Sequence, residues 1–103
     1  MKAIANNKVY DTNTATEIYE YWNGRGRSDF RKLTETLYRT PNGNYFIHGI
    51  GGPLTDWAES YGNGKEEGEG IRALTHEQVL AWIEAHRIPL DKVDISDINL
   101  VEG

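Results

Sequence analysis

Residues 33–50, LTETLYRTPNGNYFIHGI, decide the fold because they specify a β-hairpin. The first part is rich in threonine, leucine and tyrosine, and the chain returns with tyrosine, phenylalanine and isoleucine, as strands do. Between the two parts, Pro41 presets its own φ angle, and Asn42 and Gly43 accept positive φ. The sequence therefore predicts two antiparallel strands joined by a tight turn at residues 41–44.

Three short helices are predicted around this hairpin. Thr14 and Glu17 have the T-x-x-E spacing of a capping box, and the apolar residues after them recur at helical spacing. A second helix is expected around Trp57, and a third begins with the capping box of Thr75 and Gln78. The residues assigned to the apolar faces are Ile18, Tyr21, Trp22, Trp57, Ala58, Tyr61, Val79, Leu80, Trp82 and Ile83.

The remaining segments complete an α+β fold. Short strands are predicted at residues 8–11 and 71–74, and the glycine-rich stretch 62–70 is predicted to be a flexible loop. The element order is then roughly β-α-β-β-α-β-α. We expect a small, mainly antiparallel sheet with the central hairpin 33–50, packed by about three short helices. At 103 residues the chain forms one domain, in which residues 90–103 are an acidic tail or an added edge element.

The composition excludes several classes of protein. The chain contains no cysteine, so disulfides, thiolate catalysis and cysteine-ligated metal centres are excluded. No stretch approaches the roughly 18 apolar residues that cross a membrane. Residues 1–8 lack the apolar core of a signal peptide. We therefore expect a cytoplasmic protein with no membrane partner, present as a monomer or a small homo-oligomer.

Candidate catalytic chemistry is sparse. Residues 76–80 begin like the H-E-x-x-H zinc motif, but Leu80 occupies the position of the second ligand. His48 and His86 have no spacing that predicts a shared metal, and no serine lies in a G-x-S-x-G elbow. We therefore expect no metal, no cofactor and no enzymatic activity. A small hydrolase or transferase would require a pocket that joins His48 to an aspartate or glutamate.

The uneven distribution of charge suggests two opposite binding surfaces. Residues 1–51 carry seven basic and five acidic side chains, whereas residues 52–103 carry four basic and eleven acidic ones. The acidic half could imitate phosphates in a basic groove of a protein. Its candidate residues are Glu66, Glu67, Glu69, Asp91, Asp94 and Asp97.

The basic part of the chain predicts the alternative, a nucleic-acid-binding module. Guanidinium groups can bind a phosphate backbone, and neighbouring aromatic rings can stack on bases. We expect direct nucleic-acid binding to be opposed by the acidic second half. The residues of this alternative are Arg25, Arg27, Arg31, Lys32 and Arg39, with Phe30, Tyr38 and Tyr45 as the aromatic neighbours.

The three tryptophans fall on the three predicted helices. We expect Trp22, Trp57 and Trp82 to meet in the core over the sheet. The alternative is that one of them anchors a partner interface, because tryptophan is enriched where binding energy concentrates.

Several short blocks of the sequence resemble small proteins encoded by phages and other mobile elements of bacteria. The blocks are Val9-Tyr10-Asp11-Thr12, Thr14-Ala15-Thr16, Asp29-Phe30, Glu35-Thr36-Leu37-Tyr38-Arg39-Thr40, Tyr45-Phe46-Ile47-His48-Gly49, Gly51-Gly52-Pro53 and the helix from Leu74 to Trp82. After His-Gly, where that pattern has an acidic residue, this chain has Ile50. The resemblance implies a protein of the anti-CRISPR type and supplies no catalytic residue.

The sequence therefore predicts a non-enzymatic binding protein of mobile-element origin. Its expected partner is a host protein or ribonucleoprotein complex, such as a CRISPR effector, in the cytoplasm of a bacterium. The expected mechanism is occlusion of a basic nucleic-acid path by the acidic residues, with exposed aromatic side chains near the hairpin adding short-range specificity.

Overall fold

The computed structural model describes residues 1–103 and is built mostly from antiparallel strands. Three sheets are present: a two-stranded β1-β2 pair, a four-stranded sheet of order β3-β4-β5-β8, and a two-stranded β6-β7 pair. The elements are β1 (Lys2–Ala5), β2 (Lys8–Asp11), β3 (Thr16–Trp22), β4 (Leu33–Arg39), β5 (Tyr45–Gly51), β6 (Glu59–Tyr61), β7 (Gly64–Glu66), β8 (Gly68–Leu74), α1 (His76–Ala85) and a 3-10 turn at Leu90–Lys92.

The hairpin lies where the sequence places it. Strands β4 and β5 pair from Arg39 opposite Tyr45 to Leu33 opposite Gly51. The turn is closed by the Thr40 amide, which donates to the Asn44 carbonyl at 2.8 Å. Gly43 has a φ of +85°, the left-handed region that glycine enters without steric cost. This hairpin supplies the two central strands of the main sheet.

The predicted first helix is wrong, because residues 16–22 form strand β3. This strand pairs with β4 and has a register shift between Glu17 and Tyr19. The shift interrupts the two-residue alternation, so that Ile18, Tyr19 and Tyr21 all pack against the core. An interrupted strand pattern therefore imitated the i, i+3 spacing of a helix. Strand formation also agrees with the β-branched and aromatic composition of this segment.

The predicted second helix is also wrong. Trp57 lies in a turn, and the chain then forms the β6-β7 hairpin. The stretch 62–70 predicted to be a flexible loop contains β7 and the start of β8. The indole lies directly on the sheet, because a Cβ atom at Gly49 would be 1.9 Å from its ring. Gly70 on β8 also lies next to this ring, because a Cβ atom built on Gly70 would be 3.3 Å from it. The glycines of β5 and β8 thus create the space for Trp57, and β5 continues to Gly51.

The third predicted helix is confirmed. Thr75 Oγ1 accepts from the Gln78 amide at 3.1 Å, and Gln78 Oε1 accepts from the Thr75 amide at 2.8 Å, which completes the capping box. The helix buries Val79, Trp82 and Ile83 against one face of the sheet. As a whole, the prediction of a sheet packed by about three helices is wrong, since 41% of the residues are in strands and there is one α-helix.

The core lies on the face of the sheet that carries α1. The chain after the helix continues over the same face and buries Ile88, Val93, Ile95 and Ile98, whereas Val101 is exposed. No helix of the structure is long and apolar enough to cross a membrane.

The opposite face of the sheet is covered only at one end. Tyr10 of β2 is buried there, with its ring 5.3 Å from that of Phe46. Towards the other end of the strands, Trp22 and Ile50 remain exposed. We call this uncovered part of the sheet the open face.

Candidate functional site

A row of four side chains crosses the open face from one edge of the main sheet to the other. Trp22 pairs with Thr34, Thr34 with Ile50, and Ile50 with Glu69, so that one residue comes from each strand. Trp22 is 60% exposed and Ile50 is 39% exposed. Exposed large apolar residues that lie in one register row form a surface suited to contact with another molecule.

The indole of Trp22 lies in a groove of about 350 Å³ at one end of this row. Its Nε1 donates to the Arg25 carbonyl at 3.0 Å, which fixes the ring on the loop that follows β3. The groove is lined by Trp22, Arg25, Gly26, Arg27, Lys32, Leu33, Thr34, Ile50 and Glu67. We call it the Trp22 groove.

Residues 23–32, between β3 and β4, form one wall of this groove, and we call them the basic loop. Hydrogen bonds to two side chains hold this loop in place. Asn23 Nδ2 donates to the Arg31 carbonyl at 2.7 Å, and Asn23 Oδ1 accepts from the amides of Arg25 and Leu33. Asp29 accepts from the Arg31 amide at 2.7 Å and from the Arg25 guanidinium at 3.1 Å. These two contacts, led by the Arg31 amide, lower the pKa of the Asp29 carboxyl.

The predicted basic residues do not form one surface. Arg25, Arg27 and Lys32 meet at the Trp22 groove. Arg39 lies at the other end of β4, about 20 Å away along a seven-residue strand. Three of the five predicted cations have carboxylate partners: Arg25 with Asp29 at 3.1 Å, Lys32 with Glu67 at 2.6 Å, and Arg39 with Asp97 at 3.8 Å.

The aromatic residues proposed for base stacking are also separated. Phe30 is exposed, but Tyr38 stacks on Phe46 with ring centroids 5.1 Å apart. Tyr45 is buried in the core. Trp22, which the sequence assigned to a buried helix face, is the aromatic side chain at the groove.

The predicted acidic residues divide into two groups at opposite ends of the sheet. Glu66 ends β7, Glu67 lies between β7 and β8, and Glu69 is on β8, so all three lie near the Gly51 end of β5. Asp91, Asp94 and Asp97 follow α1, and Asp97 contacts the Tyr45 end of the same strand. We call the first group the glutamate segment; Glu67 lines the Trp22 groove and Glu69 ends the row across the open face.

Asp97 contacts a tyrosine of the core, which none of the other predicted acidic residues does. Its Oδ1 accepts a hydrogen bond from the Tyr45 hydroxyl, which lowers the pKa of the Asp97 carboxyl. Burial, followed by this hydrogen bond, raises the pKa of the Tyr45 hydroxyl. Asp97 therefore fastens the segment after α1 to the sheet.

A buried carboxylate in the core has no counterpart in the sequence predictions. Glu35 is 8% exposed and accepts from Trp57 Nε1 at 2.7 Å and from Trp82 Nε1 at 2.8 Å. His86 Nε2 lies 3.3 Å from Glu35 Oε1. Trp57 and Trp82 therefore meet in the core as expected, although only Trp82 is on a helix. The one available signal was the two-residue alternation of side-chain direction in the predicted strand, since it places Glu35 on the same face as Leu37.

The histidine considered for catalysis lies on the open face. His48 Nε2 is 2.7 Å from Glu69 Oε2, and His48 lines none of the cavities in the structure. No group of three or more histidine, aspartate or glutamate residues is arranged to hold a metal ion.

No protein-family model, no curated protein and no solved structure matches this chain. The functional inference therefore rests on the residues and their geometry.

Proposed function

We propose that this chain is a non-enzymatic binding protein that docks onto a basic surface of a host nucleic-acid-handling complex and blocks the nucleic-acid path there. The partner we propose is a bacterial defence complex of the CRISPR-effector type, met in the cytoplasm of the host. The docking surface is the Trp22 groove together with the adjoining glutamate segment.

The observation that carries the proposal is the row of Trp22, Thr34, Ile50 and Glu69 across the open face. An exposed indole held by a backbone hydrogen bond loses little freedom when it is buried by a partner, and tryptophan is frequent among residues that dominate binding energy. The acidic end of the row would attract a basic partner and orient it before the apolar residues make contact.

The balance of charge also supports a basic partner. The formal net charge is −5. Of the five predicted basic residues, Arg25, Lys32 and Arg39 are already paired with carboxylates. Within the glutamate segment, Glu67 is paired with Lys32 and Glu69 with His48, whereas Glu66 is exposed on β7 with no ion pair. Pairing reduces the attraction of the predicted basic residues for phosphates, whereas the net negative charge and the free Glu66 carboxylate still attract a basic surface.

The test is a binding titration against a panel of purified CRISPR effector complexes at two salt concentrations. Replacing the glutamate segment, by Glu66→Lys, Glu67→Lys and Glu69→Lys together, should weaken binding, and the loss should be larger at low salt. The matched control carries Asp91→Lys, Asp94→Lys and Glu102→Lys, which changes the net charge equally in the part of the chain that follows α1.

Three outcomes would contradict the proposal. Equal loss from the two triple variants would mean that net charge alone acts, without a defined docking surface. Binding that is unchanged in Trp22→Ala would exclude the groove, and a folded variant is expected because this indole is mostly exposed. If no effector complex binds the wild-type chain, the proposed partner class is wrong.

The second candidate function is single-stranded nucleic-acid binding through the same groove. The observation that favours it is that Arg25, Arg27 and Lys32 lie around the Trp22 indole. A base could stack on the indole while the cations contact its phosphates. This function predicts that the lysine substitutions in the glutamate segment strengthen binding to labelled DNA or RNA, and Arg27→Gln should weaken it. Undetectable binding of the wild-type chain at low salt would reject it.

A further inference from the structure

We infer that a second groove, on the face of the sheet that carries α1, is a site for a phosphate group. This groove has a volume of about 480 Å³ and is bounded by the basic loop, the turn that carries Trp57 and the end of α1. The residues that the inference uses are Arg31, Arg72, Glu35, Asp56 and His86. This groove shares Arg25 and Leu33 with the Trp22 groove, but its other lining residues differ and it lies on the opposite face of the sheet, so the inference goes beyond the proposed docking function.

Arg72 is held in place by packing and has no carboxylate partner. It comes from β8, and its guanidinium carbon lies 4.7 Å from the centre of the Trp57 ring. A guanidinium that contacts an indole through its flat face keeps its N–H groups, which lie in the guanidinium plane, free to donate. None of the six ion pairs in the structure includes this residue. Arg72 therefore presents donors that the protein itself does not use.

Arg31 supplies a second unpaired guanidinium to the same groove. Its backbone is fixed on both sides, because its amide donates to Asp29 Oδ1 at 2.7 Å and its carbonyl accepts from Asn23 Nδ2 at 2.7 Å. Its side chain takes part in no ion pair, although the chain has an excess of acidic residues. Two arginines that form no ion pair therefore line one groove and leave donors for an external anion.

The buried carboxylate of this groove does not serve as that anion. Both oxygens of Glu35 are engaged by three ring N–H or imidazole groups, those of Trp57, Trp82 and His86. His86 is further held by stacking on Tyr21, with ring centroids 3.8 Å apart. Glu35 thus orients the imidazole at the wall of the groove and leaves the guanidiniums unpaired.

The hydrogen-bond donors of the groove select the class of anion. Each guanidinium can donate a pair of hydrogen bonds, so Arg31 and Arg72 suit the three terminal oxygens of a phosphate monoester better than the two oxygens of a carboxylate. The carboxylates of Glu35 and Asp56 also line the groove and would repel an extended polyanion more strongly than a single phosphate group. We therefore expect a ligand with one terminal phosphate group rather than a nucleic-acid backbone.

The test is an NMR titration of the whole chain with inorganic phosphate, with chloride used to keep the ionic strength constant. We expect saturable shifts of the Trp57 indole and of the residues around Arg72. Arg72→Gln should weaken the affinity about tenfold, consistent with the loss of a charge-assisted pair of hydrogen bonds. Arg31→Gln should act in the same direction.

The controls separate this site from general anion attraction and from the docking surface. Arg27→Gln makes the same change in charge at the Trp22 groove and should leave phosphate binding unchanged. Shifts that do not saturate, an equal effect of Arg27→Gln, or equal binding of acetate would overturn the inference. Trp22→Ala should retain phosphate binding, so the phosphate titration can be interpreted even if the docking proposal fails.

Discussion

Trp57 donates a hydrogen bond to Glu35 and also packs on the residue that is paired with Glu35 in the sheet. The Trp57 indole donates to Glu35 Oε2 at 2.7 Å, and its ring lies on Gly49, the residue paired with Glu35 on the neighbouring strand. A side chain from an irregular turn is thereby fixed in position and orientation on the central strands. The Nε1–H group of Trp57 and the packing of its ring therefore hold the side chain at the same place on the sheet.

Loss of the Glu35 charge should destabilise the fold. In Glu35→Gln an amide that both donates and accepts replaces a carboxylate that accepts from Trp57, Trp82 and His86, so at least one donor is left without a good acceptor. We expect a loss of about 2 kcal/mol, the usual scale for a buried hydrogen bond to a charged group. Urea unfolding followed by tryptophan fluorescence measures it. The exposed Glu20→Gln is the control, and equal midpoints for the two variants would contradict the role assigned to Glu35.

The space above Gly49 should be equally sensitive to a single methyl group. In Gly49→Ala the new Cβ would lie 1.9 Å from the Trp57 ring, so the indole must move and its bond to Glu35 must lengthen. Overpacking of this kind typically costs about 1–3 kcal/mol, and we expect the upper end. Gly26→Ala is the matched control because nothing lies within 4 Å of its built Cβ. A native-like thermal midpoint for Gly49→Ala would show that Trp57 does not pack as described.

The contact between Asp97 and Tyr45 should appear in the pH dependence of stability. The hydrogen bond from Tyr45 lowers the pKa of Asp97 below its ordinary value of 3.8, so its stabilising contribution is full above that pH and is lost as the pH falls through the folded-state pKa. The difference in urea midpoint between wild type and Asp97→Asn should therefore be large at neutral pH and shrink in acid. Asp91→Asn provides the comparison. A difference that is independent of pH would mean that the carboxylate charge has no part in the contact.

The two capping-box patterns of the sequence should behave differently on mutation. Thr75→Ala removes the side-chain acceptor of the Gln78 amide and should cost about 1 kcal/mol, the usual value for a helix N-cap. Thr14→Ala should change the free energy of unfolding by only a few tenths of that, because Thr14 is exposed and precedes a strand. Equal losses in chemical denaturation would indicate that residues 14–22 are helical.

The hairpin and α1 could be predicted because their signals are local. The turn residues fix the geometry at residues 41–44, and the helix start at Thr75 is specified by two side chains three residues apart. The nature of residues 16–22 depends on pairing with β4, and a register shift disguised it. Trp57 lacked a local signal altogether, since its place is set by glycines on two other strands.

The candidate site was predictable in its residue types and not in its arrangement. The glutamate segment and the basic loop are visible as composition, but only the strand register shows that they adjoin each other at the Trp22 groove. Asp97 and Arg39 were grouped with them by charge, although the sheet places both at its other end. A helix over residues 16–22 places Trp22 in the core, whereas the strand formed there places it on the open face. The distance between charged residues in the sheet depends on how the strands pair, and the order of charges in the sequence does not reveal this pairing.

The register shift in β3 has a consequence for self-association. Strand β3 is an edge of the main sheet, so its outer side presents backbone groups to which another chain could add a strand. The irregularity at Ile18 bends this edge, and Glu17 and Glu20 place like charges along it, which would repel a second copy in an antiparallel pairing. The edge is thereby protected against growth of the sheet into aggregates, and contact with other molecules is directed to the faces of the sheet.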